Sequence, residues 1–308
     1  MAIAILFSSK DPMPWKEVLE NKLQEEVYIH PVDHHVQKDI NFLICWKPLP
    51  GSIEKYQNVK VIQSIGAGID HLYIENTISK EIIITRIKDE KLLEDMYEYV
   101  LAVILAHIKN VNQYHQDKII SRWKPISYKR IEDTAVSFLG LGYLGAGVAV
   151  RLQNIGFRVQ GWASSVKHIQ QVKTYVGDNG LQEMLSSTDI LINLLPLTQK
   201  TENILNRALF SQLNKAYLIN VGRGHHLVEE DLIAALDEEK LIGACLDVFR
   251  DEPLPADHRF WKDDRLSITP HVSGITDKHS VVTQLIKNYR NMQQGKPVDH
   301  MVNLEKGY

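Results

Sequence analysis

The sequence predicts an α/β protein in which two domains each contain a parallel sheet. The chain has 308 residues, about twice the length of a typical domain. Short β-rich runs alternate with helical patterns along almost its whole length, which indicates strands joined by crossover helices. Most of these runs are continuously apolar, as is typical of parallel strands buried on both faces.

The predicted strands come first, because they define the two sheets. In order they are AIAILF from Ala2, FLICW from Phe42, VKVIQSI from Val59, EIIIT from Glu81, AVSFLG, FRVQGW, DILINLLP, AYLINVG, GACLDVF and LSITP. A long helix is predicted from Met96, with apolar residues at helical spacing as far as Val111. The charged stretch KDEKLLED before it is interpreted as surface.

The long helix is predicted to link the two domains. The chain should return near Ile275, because the C-terminal helix, roughly Lys278 to Gln294, has no strand to pair with. Gly295 and Pro297 follow as helix-ending residues. The sequence therefore predicts a discontinuous domain, 1–95 with 276–308, and an inserted domain, 96–275.

Composition excludes several classes of protein. The chain is 44% hydrophobic and 24% charged, which is enough apolar content for two cores and argues against disorder. Its 35 basic and 38 acidic residues give a net charge of −3, so no positive surplus is available for a nucleic-acid backbone. No apolar run approaches the roughly 18 residues of a membrane span. The N-terminal run is interpreted as a strand and not as a signal peptide. We expect a cytoplasmic protein with neither nucleic-acid nor membrane partners.

Neither the cysteines nor the histidines predict a metal site. Cys45 and Cys245 are far apart within apolar runs, and they are interpreted as small core residues. The adjacent pairs His34-His35 and His225-His226 point their side chains apart on a helix or strand and have no carboxylate at ligand spacing. A solvated surface is the predicted environment of both pairs.

A glycine-rich turn between Ala135 and Trp162 predicts a dinucleotide site. AVSFLG ends in Gly140-Leu-Gly142-Tyr-Leu-Gly145, and a helix with Val148, Leu152 and Ile155 follows, closed by Gly156. In such a strand–turn–helix the first glycine permits the tight turn and the second lets the backbone approach a pyrophosphate. The third allows close helix–strand packing. Backbone N–H groups and the helix dipole then hold the anion.

The end of the next strand favours NADP over NAD. An acidic residue about 20 positions after the glycines would bind the ribose 2′-hydroxyl of NAD. Here the sequence has Ser164, Ser165 and Lys167 and no carboxylate. Two hydroxyls and a lysine suit a 2′-phosphate, although an unremarkable polar loop is the alternative interpretation, since no arginine is present.

Three polar residues follow three other predicted strands. Arg223 follows AYLINVG, Glu252 follows ACLDVF, and His271 follows LSITP. Open α/β sheets place their active sites at such carboxyl ends. Reduction of a 2-oxo acid by a nicotinamide hydride needs a clamp for the carboxylate and carbonyl oxygens, which the Arg223 fork fits. It also needs a proton donor, for which His271 is suited. Glu252, if it contacts the imidazole, would orient it and raise its pKa.

Taken together, the motifs G-x-G-x-x-G, LLPLT, NVGRG, LDVFxxEPLP and TPHVSG resemble those of the D-isomer-specific 2-hydroxyacid dehydrogenase family, over nearly the whole chain. The resemblance implies a catalytic triad of Arg223, Glu252 and His271. It also implies an NAD(P)-binding Rossmann domain inserted into a flavodoxin-like substrate domain, with the active site in the cleft between them. GAGIDHL from Gly66, Trp46, MYEYVLA and the closing GY are similar to the glyoxylate/hydroxypyruvate reductase A subgroup, whose members prefer NADPH and reduce short 2-oxo acids.

The same resemblance assigns ligand contacts. Substrate would meet Trp46, Ala67 and Gly68 together with Arg223. Beyond the residues already named, the cofactor contacts would be Tyr143, Leu144, Leu195, Pro196, Val221, Gly222, Asp247 and Gly274, with Arg223 and His271 shared between the two ligands. Ser164 stands where the subgroup usually has arginine, which departs from the subgroup's pattern for NADP.

The expected activity is therefore NAD(P)H-dependent reduction of glyoxylate, hydroxypyruvate or a similar 2-oxo acid to the D-2-hydroxy acid. One alternative is a nicotinamide-sensing regulatory protein of the same fold, which would not need all of Arg223, Glu252 and His271. Another is a biosynthetic dehydrogenase such as one acting on phosphoglycerate, although those commonly have a C-terminal regulatory domain and this chain ends at Tyr308. Family members are usually homodimers, with the long helix from Met96 as the candidate interface and Trp123 near the partner.

Overall fold

The structure is a computed structural model that describes residues 1–72, 79 and 81–303. The chain forms two compact units. One consists of Met1–Leu92 and the segment that begins at Thr276, and the other is Leu93–Ile275. The closing Gly307-Tyr308 dipeptide, which contributed to the resemblance, lies outside the described residues.

In the described segments the strands and helices follow one another as expected for an α/β protein. In chain order they are β1 (Ala2–Phe7), α1 (Met13–Leu23), β2 (Val27–Ile29), α2 (His34–Gln37), β3 (Ile40–Trp46), β4 (Val61–Ser64), β5 (Ile83–Thr85), α3 (Glu90–Ile108), α4 (Val111–Ile119), β6 (Ala135–Leu139), α5 (Tyr143–Asn154), β7 (Arg158–Trp162), β8 (Lys173–Tyr175), α6 (Gly177–Leu185), β9 (Ile190–Asn193), α7 (Arg207–Phe210), β10 (Ala216–Asn220), α8 (Glu229–Asp237), β11 (Leu241–Leu246), β12 (Leu266–Ile268) and α9 (Lys278–Gln293).

Within the described residues each unit contains one parallel sheet, which confirms the predicted fold class. In the first unit the described strands run in the order β2-β1-β3-β4-β5, and in the second β12-β11-β10-β9-β6-β7-β8. The strand order reverses between β1 and β3 in the first sheet and between β6 and β9 in the second. Ligands of open α/β sheets bind outside the carboxyl ends of the strands at such switch points.

The central strands are buried because both faces of each sheet are covered. β6, β9 and β10 are buried at every residue, which explains their continuous apolar runs. Cys45 on β3 and Cys245 on β11 are both buried, which confirms their interpretation as small core residues. None of the helices in the described segments combines the length and apolarity that a membrane crossing requires.

Two short strands, β2 and β8, were not predicted. Both lie at or next to polar stretches, and each occupies an outer position in its sheet. Lys173 on β8 is exposed. An outer strand of three residues does not need the continuous apolar run by which the inner strands were found.

The predicted bounds of the long helix were wrong at both ends. α3 begins at Glu90, inside the stretch interpreted as surface, and buries Leu92 and Leu93. It ends before Asn110, whose φ of 56° is left-handed, and Val111 begins the separate helix α4 and is 53% exposed. The periodic apolar residues of α3, from Met96 to Ile108, pack into the core of the second unit.

The helix after the glycine turn is also shorter than predicted. α5 ends at Asn154, so Ile155 caps it and is exposed instead of packing with Val148 and Leu152. Gly156 has a φ of 103° and closes the turn as expected.

His107 on α3 should make the stability of the folded chain depend on pH in the acid range. Its ring stacks on Tyr217 with centroids 3.9 Å apart, and burial lowers its pKa to about 4. Because an unfolded histidine titrates near 6.5, the unfolded chain binds a proton between those values that the folded chain does not. Stability should therefore fall as pH falls through this window, by roughly 2 kcal/mol at pH 5.

We expect His107→Phe, which can keep the stacking, to flatten this acid dependence. Urea unfolding at pH 7.5 and pH 5 measures the change, with the exposed His34→Phe as the matched control. An unchanged pH slope in His107→Phe would count against the lowered pKa.

Candidate active site

The glycine turn after β6 has the geometry of a phosphate cradle. Gly140 has a φ of 99°, and a Cβ there would lie 2.8 Å from the Leu194 carbonyl oxygen. A Cβ on Gly145 would overlap the carbonyl of Gly140, whereas a Cβ on Gly142 would meet no protein atom within 4 Å. Two glycines are therefore needed for close packing. The middle one faces open space at the start of α5, which is the position expected for a pyrophosphate.

Alanine substitutions should separate these two requirements. Gly142 has a φ of −74°, so Gly142→Ala should leave the thermal unfolding temperature within about 2 °C while weakening dinucleotide binding at least ~10-fold, because the methyl group fills the cradle. Gly145→Ala should lower the unfolding temperature, since overpacking costs ~1–3 kcal/mol. Differential scanning fluorimetry and cofactor titration measure both effects. Tight cofactor binding by Gly142→Ala would contradict this assignment of the cradle.

The loop after β7 presents the residues predicted to select the cofactor. Ser164 and Ser165 are exposed and Lys167 is half-buried. The loop is held near β8, because Thr174 Oγ1 donates to the Lys167 carbonyl at 2.7 Å. β7 pairs directly with β6, so the two hydroxyls lie one strand away from the glycine turn.

The other residues expected to meet the cofactor lie near strand ends or at the start of α5. Tyr143, Leu144, Pro196 and Gly274 are half-buried, and Leu195, Val221 and Gly222 are buried. The segment after β9 touches the glycine turn, because a Cβ on Gly140 would lie 3.0 Å from the Leu195 nitrogen. This contact lies at the β6/β9 switch point.

Arg223 follows β10, and its backbone is held against the next loop along the sheet. A Cβ on the neighbouring Gly224 would overlap the backbone of Phe249, so a side chain at that position would separate the two loops. Nη1 of Arg223 donates to the Gly222 carbonyl at 2.8 Å. Arg223 is half-buried.

Glu252 and His271 are in direct contact. His271 Nδ1 lies 2.9 Å from Glu252 Oε2 and 3.1 Å from Oε1, and the Phe249 N–H donates to Oε1 at 3.2 Å. The carboxylate thus orients the ring and fixes the Nδ1 proton, which leaves Nε2 as the nitrogen that can transfer a proton to a substrate. Gly224, Phe249, Glu252 and His271 therefore form a continuous set of contacts across the ends of β10, β11 and β12.

Asp247, expected to meet the cofactor, contacts the loop that presents His271. It is fully buried, and its carboxylate accepts bonds from the N–H groups of Val272 and Ser273, each at 2.9 Å. Its own carbonyl accepts from the His271 N–H at 2.8 Å. These three bonds hold His271 at its left-handed φ of 54°.

The first unit places Ala67 and Gly68 on a braced loop after β4. Ser64 Oγ accepts from the Gly66 N–H at 2.9 Å and lies 3.1 Å from the Gly68 carbonyl oxygen. Arg86 Nη1 donates to the Ala67 carbonyl at 3.3 Å. Neither Ser64 nor Arg86 was identified from the sequence, because neither belongs to the motifs that singled out the loop.

Trp46 lies at the switch point of the first sheet and is half-buried. Its ring is 4.7 Å from that of His71, and Lys10 Nζ lies 4.6 Å from its centroid. A Cβ on Gly66 would lie 2.6 Å from Trp46 Cζ3. The indole therefore packs against the beginning of the loop that carries Ala67 and Gly68.

The two histidine pairs differ from each other. His34 and His35 are exposed, as is His225, but His226 is completely buried, so the predicted solvated surface was wrong for His226. Its ring contacts Asn193 and the backbone of Arg223.

A sequence signal could have indicated this buried group of polar side chains. Each of the two apolar strands β9 and β10 ends in an asparagine, and these residues, Asn193 and Asn220, pair in register. In the described part of the chain no group of three or more acidic, histidine or cysteine side chains could hold a metal ion.

Comparison with known proteins identifies the family. Residues 101–273 match the model of the D-isomer specific 2-hydroxyacid dehydrogenase family, NAD binding domain. A glyoxylate/hydroxypyruvate reductase A from Photorhabdus laumondii is 34% identical over 304 residues, 97% of each chain.

Two solved structures are similar over essentially the whole chain. A D-isomer specific 2-hydroxyacid dehydrogenase from Xanthobacter autotrophicus Py2, in complex with NADPH and MES, has a TM-score of 0.94 at 29% identity, covering 100% of this chain and 99% of its own. An NADPH-dependent glyoxylate/hydroxypyruvate reductase from Sinorhizobium meliloti, in complex with NADP and sulfate, has a TM-score of 0.91 at 31% identity, covering 100% of both chains.

Proposed function

The chain belongs to the D-isomer-specific 2-hydroxyacid dehydrogenase family of NAD(P)-dependent oxidoreductases, and we propose that it reduces short 2-oxo acids such as glyoxylate and hydroxypyruvate to the D-2-hydroxy acids. The contact between His271 and Glu252 carries this proposal. A cofactor-sensing protein would need the glycine turn, but it would not need an oriented acid–base pair.

Each side chain of the proposed triad has a separate task. The nicotinamide supplies a hydride to the carbonyl carbon when the cofactor is bound. Arg223 binds the carboxylate and carbonyl oxygens of the substrate and stabilises the charge that develops on the carbonyl oxygen. His271 donates the proton to that oxygen from Nε2, while Glu252 keeps the ring in place through Nδ1. Ala67 and Gly68 would bind the substrate carboxylate through their backbone N–H groups.

We infer that NADPH is the preferred cofactor. The loop with Ser164, Ser165 and Lys167 contains hydroxyls and a cation where an NAD-specific site has a carboxylate. Both similar structures described above hold NADPH or NADP. Serine at position 164 supplies a hydrogen bond in place of an arginine's charge, so the selectivity should be smaller than that of an arginine-bearing site.

Steady-state kinetics test the activity and the cofactor preference together. NADPH and NADH are each assayed with glyoxylate, hydroxypyruvate, pyruvate and bulkier 2-oxo acids. We expect turnover with glyoxylate and hydroxypyruvate and a higher kcat/KM with NADPH. No turnover with either cofactor across the whole panel would refute the proposed function, and a preference for NADH would refute the role of the loop.

We propose that the chain forms a homodimer and that its interface involves α4 instead of α3, the helix expected from the sequence. The apolar side of α3 is buried in the second unit, whereas α4 and the connection after it expose large apolar side chains. These are Val111, Tyr114, Ile119, Ile120, Trp123 and Tyr128, with Trp123 97% exposed. Exposed large apolar side chains concentrated in one segment are typical of a protein–protein contact, and these six are called the α4 patch below.

Charge at the α4 patch should prevent association. We expect Trp123→Asp to shift the mass in light scattering from dimer to monomer at micromolar concentration, because an aspartate at the centre of an apolar contact is buried without a partner. Trp261→Asp is the control, since Trp261 is 52% exposed elsewhere. A wild-type monomer would contradict the assembly, and a dimeric Trp123→Asp would contradict this interface.

A further inference from the structure

We propose that His226 is a positioning residue that fixes Arg223 relative to the segment after β9, and so couples the substrate clamp to the cofactor site. This inference depends on the roles of Arg223 and of Leu195-Pro196 in the proposed function. It concerns a side chain that belongs to none of the motifs of the site.

The ring of His226 joins two segments that follow neighbouring strands. Its Nδ1 accepts from the Arg223 N–H at 3.2 Å, and its Nε2 lies 3.3 Å from the Pro196 carbonyl oxygen. The residue is 0% exposed. β9 and β10, which end just before these segments, are paired in the sheet, so the imidazole crosses between two adjacent loops at the edge where the substrate and cofactor are expected.

The backbone groups on both sides decide the protonation of the ring. The Arg223 N–H can only donate, so Nδ1 must accept. The Pro196 carbonyl can only accept, so Nε2 must carry the proton. A side-chain amide can rotate and so present either a donor or an acceptor, but these two backbone groups cannot. The site therefore selects the neutral imidazole with its proton on Nε2.

Two buried asparagines complete the connection. Asn193 Nδ2 donates to His226 Nδ1 at 2.8 Å and to Asn220 Oδ1 at 2.9 Å. Asn220 Oδ1 accepts from the Gly222 N–H at 3.3 Å, and its Nδ2 donates to the Arg223 carbonyl at 3.4 Å. Both amides are fully buried. The backbone of Arg223 is thus bonded on both its N–H and its carbonyl sides to one polar cluster.

The other side of the cluster reaches the glycine turn. Asn193 Oδ1 accepts from the Leu195 N–H at 3.3 Å, and Leu195 lies against Gly140. Gly222 itself lies against the cluster, because a Cβ there would be 2.8 Å from Asn193 Nδ2 and 3.1 Å from His226 Nδ1. A shift of the cluster would therefore displace both the substrate arginine and the segment that meets the cofactor.

Two isosteric substitutions test the two sides of the ring separately. His226→Asn places an oxygen near the Nδ1 position and keeps the bond to Arg223. His226→Gln places an amide nitrogen near the Nε2 position and keeps the bond to Pro196. We expect His226→Asn to weaken NADPH binding about 10-fold, measured as Kd by fluorescence titration without substrate, with a smaller change in KM for glyoxylate.

We expect the opposite pattern for His226→Gln. Its kcat/KM for glyoxylate should fall about 10-fold while its Kd for NADPH stays within about 3-fold of wild type. His225→Asn and His225→Gln are the matched controls, because His225 is the exposed neighbour, and both should behave as wild type. Equal losses of both parameters in the two His226 variants, or no loss in either, would overturn the proposal.

A measurement on the unmodified protein keeps the test valid if the variants fail to fold. The nitrogen-15 chemical shifts of His226 at pH 7 should show a neutral ring with its proton on Nε2. A protonated ring, or a proton on Nδ1, would overturn the proposal. The shifts and the NADPH titration do not need turnover. An inactive wild type would therefore refute the proposed function, while these two measurements would still decide the role of His226.

Discussion

Arg223→Ala should lower kcat/KM for glyoxylate by about 10³-fold, because the variant loses the charged fork that binds the carboxylate and stabilises the developing oxyanion. The loss should appear in kcat as well as in KM, since the carbonyl oxygen gains its charge only in the transition state. NADPH oxidation followed at 340 nm measures both parameters.

Two further variants define what the arginine contributes. Arg223→Lys keeps the charge without the fork and should recover only a small part of the activity. Arg207→Ala, a change at an exposed arginine paired with Glu238, should keep wild-type activity. If Arg223→Ala retained kcat/KM within ~10-fold of wild type, Arg223 would not be the substrate clamp.

His271→Gln should lower kcat by about 10²–10⁴-fold, because an amide nitrogen near the Nε2 position cannot transfer a proton to the substrate. The Kd for NADPH should change little, since the variant keeps a side chain of similar size at the edge of the site. Stopped-flow measurement of a single turnover separates the loss in chemistry from any change in product release.

The chain contains a second histidine–glutamate pair that serves as the control. His258 Nε2 lies 3.2 Å from Glu229 Oε2 in the second unit, outside the proposed site. His258→Gln likewise replaces an imidazole beside a glutamate with an amide and should leave turnover unchanged. Comparable losses in the two variants would mean that the pair at position 271 stabilises the fold and does not transfer a proton.

The inner strands were predictable from the sequence because their signal is local. A strand buried on both faces must be apolar at consecutive positions, as β6 is. A helix that packs on the sheet must instead repeat its apolar residues at helical spacing. The glycine turn is equally local: the left-handed φ of Gly140 and the overlap that any side chain at Gly145 would create restrict those positions to glycine.

The ends of helices were less predictable, because local patterns do not show what packs on them. The charged residues before Met96 suggested surface, yet Leu92 and Leu93 among them are buried. At the other end, the apolar period continues through Val111 even though the left-handed Asn110 ends α3. Where the local pattern allows a helix to begin or end at more than one residue, tertiary packing decides which residue it is.

The sequence by itself determined the two parallel sheets, the glycine turn and the placement of Arg223, Glu252 and His271 after successive strands. Only the tertiary structure decided that Glu252 contacts His271, that Asp247 holds the His271 loop, and that His226 is buried while His225 is exposed. The physical reason is that periodicity and backbone conformation are properties of neighbouring residues. The environment of a polar side chain depends on groups distant in sequence: the partners of His226 extend back to Asn193, thirty-three positions earlier.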